Sequence, residues 1–109
     1  MTAQKFRELA LALPEAVEQE HLDHPDFRVG GRIFATLWPE ASKGVIMLDA
    51  EQQAGLIKAK PKIFSPVPGG WGKRGATEIR LPVATIKVTR EALLWAWTRR
   101  APKRRLKLA

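Results

Sequence analysis

Six basic side chains crowd the end of the sequence: Arg99, Arg100, Lys103, Arg104, Arg105 and Lys107, with no acid among them. Residues of this type neutralise phosphates and release counterions. Six such contacts would give a log–log salt slope of about −5 on duplex DNA. A second cluster lies upstream in PVPGGWGKRG (residues 66–75), where Trp71, Lys73 and Arg74 share a glycine-rich loop. Backbone amides beside two cations suit a phosphate, and an indole offers a stacking surface to a base or sugar. Each cluster also has a structural reading. The loop could be a hairpin with Trp71 folded back onto the core, and Arg99 and Arg100 could complement a helix C-terminus. Arg28, Arg32 and Arg80 are weaker candidates, because pattern alone leaves their strand faces open.

Other chemistry lacks its parts. Without cysteine there are no disulfides, thiolate metal sites or Cys nucleophiles, and the sequence fits a reducing compartment. Gly70, Gly72 and Gly75 match GxGxxG, but that fingerprint follows a strand and opens a helix. Here it follows Pro66-Val67-Pro68 and precedes a predicted strand. A P-loop fails because Arg74, not Ser or Thr, follows Gly72-Lys73. His21, Asp23, His24 and Asp26 cluster, yet in an extended segment His21 and His24 would point to opposite faces. No third nitrogen ligand accompanies them, so neither a metal nor another cofactor is expected. Glu18 and Glu20 read as a solvated strand edge. Ser42 and Ser65 occupy no nucleophile elbow, and the carboxylates are scattered rather than paired. These features favour a binding protein over an enzyme.

The chain has 109 residues, 45% of them hydrophobic, which suits one folded domain rather than a disordered chain. Its longest apolar run, Ala92 to Trp97, is six residues, far short of the ~20 that span a bilayer. LALAL (residues 9–13) is too short for a signal core and follows Glu8, so a cytoplasmic protein is expected. The net charge is +8, unevenly spread: residues 1–54 carry 5 basic and 9 acidic side chains, residues 55–109 carry 14 and 2. The C-terminal half should therefore attract polyanions.

The elements that must position these residues can be read in order. Phe6, Leu9, Ala10 and Leu13 recur at helical spacing between a Thr2 N-cap and Pro14. Residues 16–22 read as a strand. Residues 24–39 read as a hairpin about Gly30-Gly31, with Val29 opposite Arg32 and Phe27 opposite Phe34. That register puts Phe27, Val29 and Phe34 on one face, and Ile33, Ala35 and Leu37 on the other. A strand at 43–48 follows. Asp49 and Gln52 have capping-box spacing before a helix with Ala54, Leu56 and Ile57 as its apolar stripe. Residues 66–75 read as a loop and 76–81 as a strand. A last helix begins between Thr85 and Arg90, with Leu93, Leu94 and Trp97 on one face and Pro102 just beyond its end. The result is an α+β, two-layer domain over residues 1–109: an antiparallel sheet, three helices, and a frayed basic tail at 103–109.

HPDFRVGGRIFATLWP, DAEQQAGLIKA, PVPGGWGKRG and ALLWAW with the following APKR together resemble the MmcQ/YjbR family of small bacterial proteins, over nearly the whole chain. The resemblance implies a YjbR-like fold of CyaY-like topology and a DNA-binding role without defined catalytic residues. Lys73-Arg74 after GGWG and the long basic tail depart from the common pattern, in the direction of an anionic partner. CyaY-type proteins bind iron through an acidic first helix and strand. Here the first helix holds only Glu8, beside Lys5 and Arg7, so that role does not carry over. The expected function is non-enzymatic DNA binding through Trp71, Lys73, Arg74 and the six terminal cations. The alternative is a protein-interaction module of chaperone-like topology that binds an acidic polypeptide.

Overall fold

The Thr2 hydroxyl accepts the Lys5 amide at 3.0 Å and starts helix α1 (Ala3–Leu11), whose buried face is Phe6, Leu9 and Ala10. A computed structural model describes residues 1–102 of the chain. Four strands follow α1: β1 (Val17–His21), β2 (His24–Val29), β3 (Arg32–Trp38) and β4 (Lys43–Met47). Helix α2 (Ala50–Ala59), β5 (Phe64–Pro66), the short helix α3 (Gly70–Lys73), β6 (Ala76–Arg80) and helix α4 (Ile86–Arg100) complete the chain. The strands form one antiparallel sheet in the order β1-β2-β3-β4-β6-β5. This is the α+β, antiparallel architecture that the sequence predicts. No helix among the described residues is long and apolar enough to cross a membrane.

Helices α1 and α4 pack on β3 and on each other, and α2 packs against β5 and β6. The core between the layers holds Phe6, Phe27, Val29, Phe34, Ile46, Ile79, Leu93 and Ala96, all fully buried. Phe6 meets Phe27 edge-to-face at 6.2 Å. Gly44 makes room for the Phe6 ring, which lies 2.7 Å from where a Cβ on that glycine would sit. Trp97 ties α4 to the turn after α1 by donating its indole N–H to the Pro14 carbonyl at 2.9 Å. The opposite sheet face is not covered by α1 or α4. Ile33, Thr36, Trp38 and Met47 lie half-buried on it.

Five local expectations are corrected. Val29 does pair with Arg32, but the register shifts between Phe27 and Arg28, so that Phe27 faces Ala35 rather than Phe34. Phe34 is the extra residue of a bulge, and it joins Ala35 and Leu37 on the buried face while Ile33 turns outward. His21 and His24 share a face instead of opposing one another, because the chain reverses at Leu22-Asp23 and sets them directly across a hairpin. On α4 the buried stripe is Thr89, Ala92, Leu93, Ala96 and Trp97, and Leu94 projects outward at 44% exposure. On α2 the buried residue is Gln53, with Ala54 exposed. Glu18 does not stand free at the edge; Arg7 of α1 pairs with it.

Candidate anion-binding site

The segment read as a glycine-rich loop has a defined shape. The Val67 amide donates to the Ala76 carbonyl at 3.0 Å, closing the segment after β5. The chain turns at Gly69 (φ +89) and again at Gly75 (φ +121), with α3 between. Side chains are excluded where it folds on itself. A Cβ on Gly72 would lie 1.6 Å from the Val67 carbonyl oxygen, and one on Gly75 would lie 2.1 Å from that of Leu48. Gly72 and Gly75 of the GxGxxG match thus serve close backbone packing. Gln53, buried on α2, clamps the turn by donating to the Gly72 and Ala76 carbonyls, both at 2.9 Å. Trp71, Lys73 and Arg74 are the side chains this frame presents outward. Trp71 is 60% exposed, so it is not folded back onto the core.

The C-terminal end of α4 reaches the same place. A cleft of about 220 Å³ opens where β4 ends and β6 begins, lined by Met47, Leu48, Trp71, Arg74, Ala76, Arg99 and Arg100. Arg99 crosses from α4 to donate to the Met47 carbonyl at 3.3 Å, and both arginines complement the helix dipole. That accounts for part of their placement and leaves most of their charge uncompensated. Arg100 has a buried Nε with no hydrogen-bond partner. Burial, and then the like charges of Arg99 and Arg32, push its guanidinium below the usual arginine range. Among the described residues no carboxylate forms an ion pair with Arg32, Arg74, Arg99 or Arg100. A cluster of cations held together without counter-charge favours an anion that enters between them.

The remaining candidates separate by position. Lys73 is exposed on α3 beside Arg74. Arg28 grips the fully buried Asp26 through two bonds of 2.9 and 3.1 Å, so its charge is already met. That bond to Asp26 also raises the Arg28 pKa. Arg80 donates to the Lys62 carbonyl at 2.7 Å, at the end of β6 away from the cleft. Lys103, Arg104, Arg105 and Lys107 lie outside the described residues. Pro102 rests on the β2–β3 turn, its ring 2.7 Å from where a Gly30 Cβ would be, beside Arg32 at the start of β3. The structure thus brings Trp71, Arg74, Arg99 and Arg100 together and removes Arg28 and Arg80. The strength of Arg32 as a candidate was hidden in the sequence, because it depends on where α4 ends. His24 and Asp26 also have structural partners. His24 bonds Glu40 at 2.7 Å and stacks on Trp38 with ring centres 3.7 Å apart.

The YjbR family model matches residues 11–100. The fold is similar to that of Deinococcus radiodurans protein DR2400, which carries the domain DUF419, with a TM-score of 0.73 at 20% sequence identity. The likeness covers 88% of this chain and 75% of that one. No curated protein shows a significant match.

Proposed function

The chain belongs to the YjbR family, and we propose that it is a non-enzymatic DNA-binding protein that grips phosphates at the arginine cleft with little base specificity. The observation that carries this reading is the convergence of Arg74, Arg99 and Arg100 on one cleft whose arginines have no carboxylate ion-pair partner among the described residues, with the charge of Arg32 near enough to act on Arg100. Guanidinium groups suit phosphate because their forked donors match its oxygens. Such contacts position a duplex without reading its sequence. The four cations that follow Pro102 in the sequence, Lys103, Arg104, Arg105 and Lys107, add to the positive balance of this half of the chain. The residues lining the cleft include no histidine, carboxylate or hydroxyl to move a proton or attack a substrate, which supports binding over catalysis. The cysteine-free sequence suits a reducing compartment, and we assign this role to the cytoplasm.

Titration of a fluorescently labelled duplex over a series of salt concentrations tests the reading. The expected result is binding at low salt that weakens steeply as salt rises. Replacing Arg74→Gln and Arg99→Gln together should make the log–log slope shallower by about 2, at ~0.9 per lost phosphate contact, with an unchanged circular dichroism spectrum. No binding at low salt, or a slope that the double variant leaves intact, refutes it.

A further inference from the structure

The sheet face opposite α1 and α4 holds an apolar groove of about 370 Å³, within the range of ligand pockets. Ile33, Val45 and Met47 form its floor; Leu22 and Trp38 stand on one side, and Val67 and Trp71 on the other. Two of these residues, Met47 and Trp71, also line the arginine cleft. The groove and the cleft are therefore one continuous surface, apolar on one side of Trp71 and cationic on the other. The two tryptophans are not equivalent. His24 stacks on Trp38 at 3.7 Å, and the Lys43 ammonium lies 5.7 Å from the same ring, so Trp38 is a wall already covered. Trp71 is 60% exposed and is the free aromatic platform.

From this juxtaposition we infer that the preferred ligand is a single-stranded nucleic acid, one of whose bases leaves the stack and seats in the groove against Trp71, while Arg74 and Arg99 hold the adjoining phosphates. The inference rests on the phosphate-binding role proposed above and narrows it. In a duplex each base shows only its edges to the grooves, and its faces stay stacked on its neighbours. Apart from His21, His24 and Thr36, the groove is lined by aliphatic and indole side chains, which offer such an edge little. It suits the flat face of an unstacked base, as single-strand binding surfaces do. The neighbouring guanidiniums select the occupant: an apolar segment entering the groove must carry negative charge beside it, and every nucleotide of a strand supplies both.

Competition binding with three labelled probes of equal length tests this: an oligothymidylate strand, a duplex, and an abasic phosphodiester strand. The oligothymidylate should bind more tightly than either of the others. Trp71→Ala should weaken it by roughly five- to 150-fold, and affinity for the abasic strand should stay unchanged. Trp71→Phe should restore most of the loss, and Leu22→Asn, which trims the groove wall at an exposed turn, should lower affinity for the base-bearing strand alone. Equal affinity for the base-bearing and abasic strands, both salt-dependent, overturns base seating and leaves the phosphate reading standing. Absence of binding to any probe at low salt overturns both. Tighter binding of an acidic, leucine-rich peptide than of the strand assigns the groove to a polypeptide. A sedimenting dimer that Trp71→Ala dissociates assigns it to a second copy of the chain. Either result overturns the inference.

Discussion

At Leu22 the backbone runs at φ +52, followed by Asp23 at φ +65, and the leucine side chain is 77% exposed. A two-residue hairpin loop with both φ values positive suits Asn or Gly at its first position. A leucine there costs roughly 1–2 kcal/mol of left-handed strain and recovers almost none of it through burial. Asn at position 22 should therefore stabilise the protein by about 1 kcal/mol, seen as a higher urea midpoint at constant slope. A lower midpoint would mean that Leu22 contributes packing the folded chain needs. A strained, exposed apolar residue at the wall of a groove is the pattern left when binding matters more than stability. Nothing in His-Leu-Asp-His announces this turn, since a leucine between two polar residues reads as part of a strand. Trp71 and Arg74 were visible by contrast, because an aromatic and a cation set among glycines have no pattern of their own to serve.

Local chemistry carried most of the elements and failed where distant partners decide. The capping box on α2 was legible because both of its bonds are made within four residues: the Gln52 amide to Asp49 at 2.7 Å and the Asp49 amide to Gln52 at 3.1 Å. The next residue, Gln53, reads as part of the solvent face of the same helix. It is buried where it bonds carbonyls 19 and 23 residues away along the chain, and no local spacing encodes that contact. The bulge at Phe34 was hidden for the same reason, since a clean two-residue turn predicts an unbroken register. The clamp has a measurable consequence. Gln53→Ala removes both side-chain bonds and leaves the Ala76 and Gly72 carbonyls only their backbone donors, Val67 and Gly75, at about 0.5–1.5 kcal/mol per lost bond, and it frees the frame that presents Trp71 and Arg74. Chemical denaturation should show that loss. Affinity for the oligonucleotide should fall as well, although residue 53 lies beneath the site and faces no ligand. A variant that loses stability and keeps full affinity would show that α3 holds its place without the glutamine.

For the molecule as a whole, the sequence showed the charge imbalance but not its geometry. Residues 74 and 99 are far apart along the chain and line one cleft in space. Geometry, rather than the net charge of +8, is what thermal stability can read. A ligand stabilises a fold only by the difference between its affinities for the folded and unfolded chains. The unfolded chain carries the same 19 lysines and arginines, so a polyanion attracted by charge alone gains little from folding. If the cleft organises guanidiniums around a phosphate, the folded chain binds more tightly and the melting temperature rises. Near 100 times the dissociation constant the gain approaches ~2.7 kcal/mol, less whatever the unfolded chain binds. At about 4–8 °C per kcal/mol for a domain of this size, a saturating oligonucleotide at low salt should raise Tm by about 10 °C. Differential scanning fluorimetry checks this against the Arg74→Gln, Arg99→Gln double variant, which keeps 17 of the 19 cations and should lose most of the shift. Equal shifts in the two proteins would mean that diffuse charge binds the polyanion and that the folded arrangement of the arginines adds nothing to it.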